Sequence, residues 1–320
     1  MKVAVTGGAG YIGSALVRRL LDGGDAVVSV DNLTRGDYAY LEALRAGRDL
    51  ELVTGDIREI EALEEAFRGA DAVAHLAAMP GLTLCDERPE EAVSVNIYGT
   101  HQVLEVARGL GIGRVVFCSS AAVYGTPVAM PVDEGHPLRP LNLYGVTKVA
   151  GEKLMEACHL NHGMETVSLR FGNVFGVGLY TRWDTVIPKF VGQGLKGEAL
   201  TVYGDGGSSR DFVHVEDIVQ AVTLALRSKG IGGEAFNGGG ETVEIGRLAE
   251  IVSEELERGT GRGAGAVNLP PRPGETRKFR YRLDKIEERL GYRARWGVRR
   301  GVRQLIDYGM RRMGERDGAS

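Results

Sequence analysis

Through the first 170 residues, short apolar runs take turns with longer segments whose apolar positions recur every three or four residues. Lys2-Val3-Ala4-Val5-Thr6 reads as a buried strand, and Ile12, Ala15, Leu16, Leu20 and Leu21 place an amphipathic helix over 11–21. Further strands are predicted at 26–30, 50–53, 72–76, 114–118 and 165–170, and helices at 38–46, 60–67, 89–110 and 141–161. This alternation predicts an α/β fold, a doubly wound parallel Rossmann sheet covered on both faces, with ligands at the carboxyl ends of the strands. Asp31, Asp56, Ala77, Ser119 and Ser120 fall at or just past such ends and are expected around one crevice. Beyond Phe171 the rhythm loosens. There, 212–225 reads as helical, 234–237 as short and extended, 259–265 as a mobile glycine-rich surface loop, and 315–320 as a frayed end.

Between the first strand and the first helix lies Gly7-Gly8-Ala9-Gly10-Tyr11-Ile12-Gly13. Gly7 suits a tight turn, Gly10 a close approach of backbone to a pyrophosphate, and Gly13 close packing of helix on sheet. The helix amino end adds free N–H groups and a favourable dipole for an anion. The second strand ends in Asp31, whose carboxylate accepts from an adenosine ribose and repels a 2′-phosphate. NAD rather than NADP is the expected cofactor.

Tyr144 and Lys148 are four residues apart on the helix predicted at 141–161 and share one of its faces. A free tyrosine ionises near ~10, so a phenolate at neutral pH needs a depression of roughly 3 units, about 4 kcal/mol. A neighbouring ammonium acts in that direction.

Composition narrows the partners. The formal net charge of the 320 residues is −4, without the basic excess that a nucleic-acid or membrane-surface partner would require. The opening residues are already strand and turn, which leaves no place for a signal peptide, and no apolar run reaches bilayer length. Cys85, Cys118 and Cys158 are widely spaced, as reduced thiols of a cytoplasmic protein would be, and His159 and His162 lack the companions of a zinc site.

A larger pattern connects these residues. The glycine turn, Gly55-Asp56, His75-Leu76-Ala77-Ala78, Asn96, Ser119-Ser120 before Ala121-Ala122-Val123-Tyr124-Gly125, and Tyr144 with Lys148 resemble the extended short-chain dehydrogenase/reductases. The segments 170–176, 203–206, 210–215 and 272–275 resemble the family's NAD-dependent nucleotide-sugar epimerase branch, and the match runs from residue 1 to about 292.

The resemblance implies an NAD-binding domain over 1–172, to which 211–240 returns, and a smaller, discontinuous nucleotide-sugar domain over 173–320. It implies cofactor contacts from Gly7, Gly10, Tyr11, Ile12, Gly13, Asp31, Asn32, Asp56, Ile57, Leu76, Ala77, Ala78, Asn96, Ser119, Tyr144, Lys148 and Phe171. Ser120, Tyr144, Asn173, Arg210, Arg272 and Glu275 would contact a UDP-sugar. The implied reaction is 4-epimerisation of a UDP-hexose through a transient 4-keto sugar. Tyr144 would be the base, Ser120 the hydrogen-bonding partner of the 4-oxygen, and Lys148 the ribose anchor that lowers the Tyr144 pKa. The helices predicted at 89–110 and 141–161 are apolar on more than one face, and the family pairs such helices in a four-helix bundle, so a homodimer is expected.

Departures from the pattern bear on the substrate. Relatives that dehydrate carry Asp-Glu after the hydroxyl position, and decarboxylases carry a glutamate at the second position; here Ala121 and Ala122 stand there. Arg182, in the atypical run Gly178-Leu179-Tyr180-Thr181-Arg182-Trp183-Asp184, either pairs with a uronate, making the substrate UDP-glucuronate, or belongs to a local structural cluster. UDP-N-acetylhexosamine is a further alternative, which Phe279 opposes, since it matches a position where a large residue in relatives narrows the pocket against an N-acetyl group. A non-catalytic NAD-sensing role is opposed by the presence of Ser120, Tyr144 and Lys148 together.

Overall fold

The computed structural model describes residues 1–271 and 278–317. Its strands are β1 (Lys2–Thr6), β2 (Ala26–Asp31), β3 (Leu50–Thr54), β4 (Ala72–His75), β5 (Arg114–Ser120), β6 (Glu165–Phe171), β7 (Asn173–Phe175), β8 (Leu200–Tyr203), β9 (Ser209–His214), β10 (Glu234–Gly238), β11 (Glu241–Glu244) and β12 (Ala266–Leu269). The helices are α1 (Tyr11–Asp22), α2 (Ala39–Leu44), α3 (Ile60–Phe67), α4 (Leu82–Glu87), α5 (Pro89–Val93), α6 (Thr100–Gly109), α7 (Leu143–His162), α8 (Val186–Leu195), α9 (Val215–Arg227), α10 (Ile245–Thr260), α11 (Asp284–Leu290) and α12 (Val298–Asp317).

Seven parallel strands form the main sheet in the order β10-β6-β5-β4-β1-β2-β3. The order reverses between β1 and β4, so the loops after these two strands diverge to opposite faces and leave a crevice between them. Both faces are buried, which is why the strands read as near-continuous apolar runs. Val3 and Val5 pack towards Leu16 and Leu20 of α1 and Ile218 and Val222 of α9. Ala4 and Val28 belong to a second core with Leu63 and Phe67 of α3, Val103 of α6 and Met155 of α7. A third core joins Phe190 of α8, Phe212 of β9, Val252 of α10 and Val302 of α12.

The structure corrects several sequence expectations. Phe212, Val213 and His214 are strand, because β9 pairs with β7 and β11 in a small separate sheet; the return to the main sheet starts at α9 and ends in β10. Ile286, Leu290 and Tyr292, expected in the sugar-binding part, join the core of the main sheet. Gly259 and Thr260 are helical, leaving only 261–265 as loop, and α12 continues to Asp317. The helix expected at 89–110 contains a π-turn, Ser94–Gly99, between α5 and α6. No helix among the described residues is long and apolar enough to cross a membrane.

Candidate active site

The glycine turn connects β1 to α1 in the geometry its spacing predicts. Gly7 has φ +74°, and a Cβ there would lie 2.8 Å from the Ala77 backbone nitrogen, so the turn presses against the loop after β4. A Cβ on Gly13 would fall 2.0 Å from the Gly7 carbonyl oxygen. Gly10, the N-cap of α1, meets only the Gly7 carbonyl at 3.2 Å, and no side chain caps the helix. A bare backbone edge and an open helix amino end fit a diphosphate. Across the turn, Asp31 accepts from the Ala9 N–H at 3.1 Å and the Leu33 N–H at 2.9 Å; burial pushes its carboxyl up and these bonds oppose the shift. Asn32 donates to Asp56 at 2.8 Å, and a pair with Arg58 holds the Asp56 carboxyl down at about 2. Ile57, just past Asp56, is buried under α6 and packs on Gly99.

A buried polar chain fixes the loop after β4, the segment that carries Leu76, Ala77 and Ala78. Thr6 Oγ1 lies 2.8 Å from His75 Nδ1 and accepts from the Leu76 and Ala77 N–H groups, while His75 Nε2 lies 3.0 Å from Thr100 Oγ1. Burial drives the His75 pKa down to about 3, so the imidazole is neutral at physiological pH. Asn96, in the π-turn, accepts from the Met79 N–H at 2.7 Å and donates to the Met79 carbonyl and to Thr147 Oγ1 at 3.1 Å. Its amide is thus committed to fastening this loop to α7, a role the sequence did not announce. The π-turn is what inserts this amide between loop and helix.

Asn142 starts α7 by accepting from the Gly145 N–H at 2.8 Å, which puts Tyr144 in the first turn and Lys148 one turn later. Tyr144 is half-buried against Met79, Leu84, Cys85 and Leu143. Ser120, the last residue of β5, stands near the phenol, whose pKa it lowers, and accepts from the Ala122 N–H at 3.2 Å. Ser120, Tyr144 and Lys148 therefore lie near one another, but their electrostatics differ from expectation. Burial pushes the Tyr144 phenol up to about 12 against the lowering effect of the Ser120 hydroxyl. The Lys148 ammonium is 5.8 Å from the Tyr144 ring centroid and donates to the Cys118 carbonyl at 2.8 Å. Its own pKa falls to about 8 through burial. In the protein alone, desolvation of the phenol outweighs the lowering influences of the Ser120 hydroxyl and the Arg182 charge.

Ser119, next to the triad, is turned away from the crevice. Its hydroxyl donates to Glu152 at 2.5 Å, and Glu152 pairs with Arg170 at 2.7 Å, both charged side chains being only 6% exposed. Arg170 also donates to Tyr124 at 2.7 Å, and Tyr124 to Asn237 at 2.6 Å. This network ties the ends of β5, β6 and β10 to α7 directly behind Ser120. Phe171 ends β6 in the core of the main sheet, and its ring packs on Gly238.

The expected substrate contacts lie past β6. Asn173 is exposed and donates to the Asp211 carbonyl at 3.2 Å; Arg210 stands on the adjoining strand β9. Arg272 and Glu275 lie outside the described residues. Phe279 is buried in an aromatic cluster with Tyr124 and Tyr281. Arg182 pairs with Asp184 at 2.6 Å, and its guanidinium would lie 3.7 Å from a Cβ on Gly81. The same positive charge lowers the phenols of Tyr11 and Tyr144.

Comparisons with known proteins agree with this geometry. Residues 3–239 match the NAD dependent epimerase/dehydratase family. A UDP-glucose 4-epimerase of Mycolicibacterium smegmatis is 32% identical over 316 residues, covering 96% of this chain and 98% of the relative. A dTDP-glucose 4,6-dehydratase of Streptomyces venezuelae, solved with NAD, superposes with a TM-score of 0.88 at 32% identity and covers 98% of both chains. A UDP-glucuronic acid 4-epimerase of Bacillus cereus, solved with UDP-glucuronic acid and NAD, has a TM-score of 0.87 at 30% identity, covering 97% of this chain and 99% of that one. The family is NAD dependent and the two solved relatives hold NAD, so the cofactor is NAD. With the cradle, the phenol and the ammonium gathered at the β1/β4 switch point, this chain belongs to the NAD dependent epimerase/dehydratase family.

Proposed function

We propose that the protein is a UDP-hexose 4-epimerase, with UDP-glucose and UDP-galactose as the interconverted pair and a transient 4-keto sugar between them. The observation that carries this reading is the junction of Ser120, Tyr144 and Lys148 with alanine at both positions after Ser120. Elimination needs an acid and a base beyond the tyrosine, whereas removal and return of hydrogen at one carbon needs only the tyrosine. Net reduction is disfavoured because reductases usually draw on NADP and Asp31 repels its 2′-phosphate.

Bound NAD supplies the acceptor, and afterwards the donor, of the C4 hydride. The Tyr144 phenolate takes the proton of the sugar 4-hydroxyl and returns it once the ketone has presented its other face. Ser120 donates to the 4-oxygen, and Lys148 holds the nicotinamide ribose and favours the phenolate. With NAD bound, Gly7, Gly10, Tyr11, Ile12 and Gly13 would receive its diphosphate and Asp31 its adenosine ribose, and Asn32, Asp56 and Ile57 would complete the cofactor site. Asn173, Arg210, Arg272 and Glu275 hold the UDP, the arginines matching diphosphate geometry. Exposed Val93 and Tyr98 near the start of one long helix and Val146 and Leu160 of α7 support a homodimer through a four-helix bundle. The cysteines are free, in keeping with a cytoplasmic setting.

Incubation with UDP-glucose, UDP-N-acetylglucosamine and UDP-glucuronate separately, with products resolved by chromatography and mass, tests the assignment. UDP-galactose from UDP-glucose is expected; loss of water from the sugar would refute it in favour of dehydration. One observation favours a second reading. Arg182, beside Gly81 and with a charge felt at the Tyr144 phenol, suits a uronate carboxylate, and in that case UDP-glucuronate would be the best substrate and Arg182→Gln would abolish that preference.

A further inference from the structure

Residues 176–184, which leave the small sheet after β7, do not stay within their own part of the molecule. Near their start, the Tyr11 hydroxyl donates to the Gly176 carbonyl at 2.7 Å, and Gly178 lies on the Tyr11 ring, where a Cβ would be 2.4 Å from the nearest ring carbon. Two residues on, the Tyr180 hydroxyl accepts from the Asp37 N–H at 2.8 Å. The ring of Tyr180 covers Gly36: a Cβ there would be 3.1 Å from the ring and 2.5 Å from the Ala9 carbonyl of the glycine turn. Arg182 then approaches Gly81. The far end is anchored in the third core by Trp183, stacked on Tyr308 of α12 with ring centroids 6.5 Å apart.

These contacts define a path. Asp37 follows β2, Gly81 follows β4, and β2 and β4 flank β1 in the sheet. A segment touching both loops must cross the glycine turn and the amino end of α1, where the diphosphate of NAD is received. We propose that residues 176–184 are a strap over the bound dinucleotide and that Tyr180 is its latch, so that NAD enters and leaves only when the Tyr180 contact with the loop 33–37 is broken. The latch bonds to the Asp37 backbone N–H and packs on Gly36, so it controls passage and not the strength of the cofactor contacts.

This geometry has a kinetic signature. If opening is required for both directions, loosening the latch accelerates association and dissociation by the same factor and leaves the equilibrium constant in place. One hydrogen bond of ordinary net strength corresponds to about a fivefold change. NADH binding to the purified, dinucleotide-stripped protein, followed by nicotinamide fluorescence in stopped flow, gives both rates without any sugar present. The result is therefore separate from success or failure of the substrate assignment. For Tyr180→Phe, both rates should rise about fivefold, and for Tyr180→Ala further, with Kd within about twofold of wild type. A rise in dissociation alone would make Tyr180 a direct cofactor contact and overturn the latch. Unchanged rates in Tyr180→Phe, whose ring preserves the packing on Gly36, would reduce the segment to a structural loop and overturn it as well.

Discussion

Replacing Lys148 with methionine isolates how the buried ammonium serves the tyrosine, since methionine keeps an unbranched apolar stem and removes the charge. The Nζ lies 5.8 Å from the Tyr144 ring centroid. At that separation and an effective dielectric of about 20, unit charges attract by about 3 kcal/mol, roughly 2 pKa units. Tyr144 stands at about 12 in the protein alone with Lys148 already in place, so ionisation at neutral pH needs a further fall of about 5 units, and removing the ammonium should add roughly two to that need. The fall itself must arrive with the bound ligands. Because only the phenolate accepts the proton, the rate rises about tenfold per pH unit below its pKa, so the variant should lose about 100-fold on that limb. The limb itself should move about 2 units to higher pH. A second signature comes from the lysine. Its pKa is lowered to about 8, so the ammonium is present below that pH and lost above it; wild-type activity should decline through about 8, and Lys148→Met should lack this decline. The assay is kcat against pH at saturating NAD with the sugar nucleotide that the enzyme turns over. A rate loss with the rising limb unmoved would show that Lys148 acts as a ribose anchor only, and a loss under about tenfold would refute the electrostatic reasoning altogether.

Tyr144→Phe should abolish turnover while NAD binding, measured calorimetrically, stays near wild type; substantial residual activity would remove Tyr144 as the base. Asp31→Ala should weaken NAD by at least about tenfold, since charge-assisted hydrogen bonds contribute roughly 1.5 to 3 kcal/mol. It should also loosen the turn, whose Ala9 and Leu33 N–H groups it holds, and unchanged affinity would show that the carboxylate does not face the ribose. Arg170→Met leaves the Glu152 charge buried without its cation and should cost about 3 to 5 kcal/mol in urea unfolding; a change below about 1 kcal/mol would mean that the pair is not structural. Placing charge in the proposed dimer face with Tyr98→Arg and Val146→Glu should yield monomers in sedimentation, and an unaltered dimer would relocate the interface.

How far the sequence reaches can be judged from single elements. Local periodicity placed the main strands and the helices over the sheet, because a strand buried on both faces and an amphipathic helix each leave an apolar pattern within a few residues. It failed at Phe212–His214, which carry apolar residues that a helix could equally use; pairing with β7 and β11 decides for strand, and that pairing is non-local. The apolar run that includes Ile286, Leu290 and Tyr292 gave no sign of which core it would enter.

The same division holds in the site. Glycine spacing, the carboxylate ending β2 and the tyrosine-lysine pair on one helical face are short-range features, so the sequence by itself determined the shape of the glycine turn and the shared helical face of Tyr144, the proposed base, and Lys148. Only tertiary structure decided the state of that base. Burial raises the Tyr144 pKa because surroundings contributed by Met79, Leu84 and Cys85 exclude water from the phenol, and those residues lie some sixty positions away in the chain. It likewise turned Ser119 to Glu152, committed Asn96 to Met79 and Thr147, and brought Arg182 and Tyr180 across from beyond β7. Desolvation and long-range hydrogen bonds depend on what the folded chain brings together, and no spacing along the sequence encodes that.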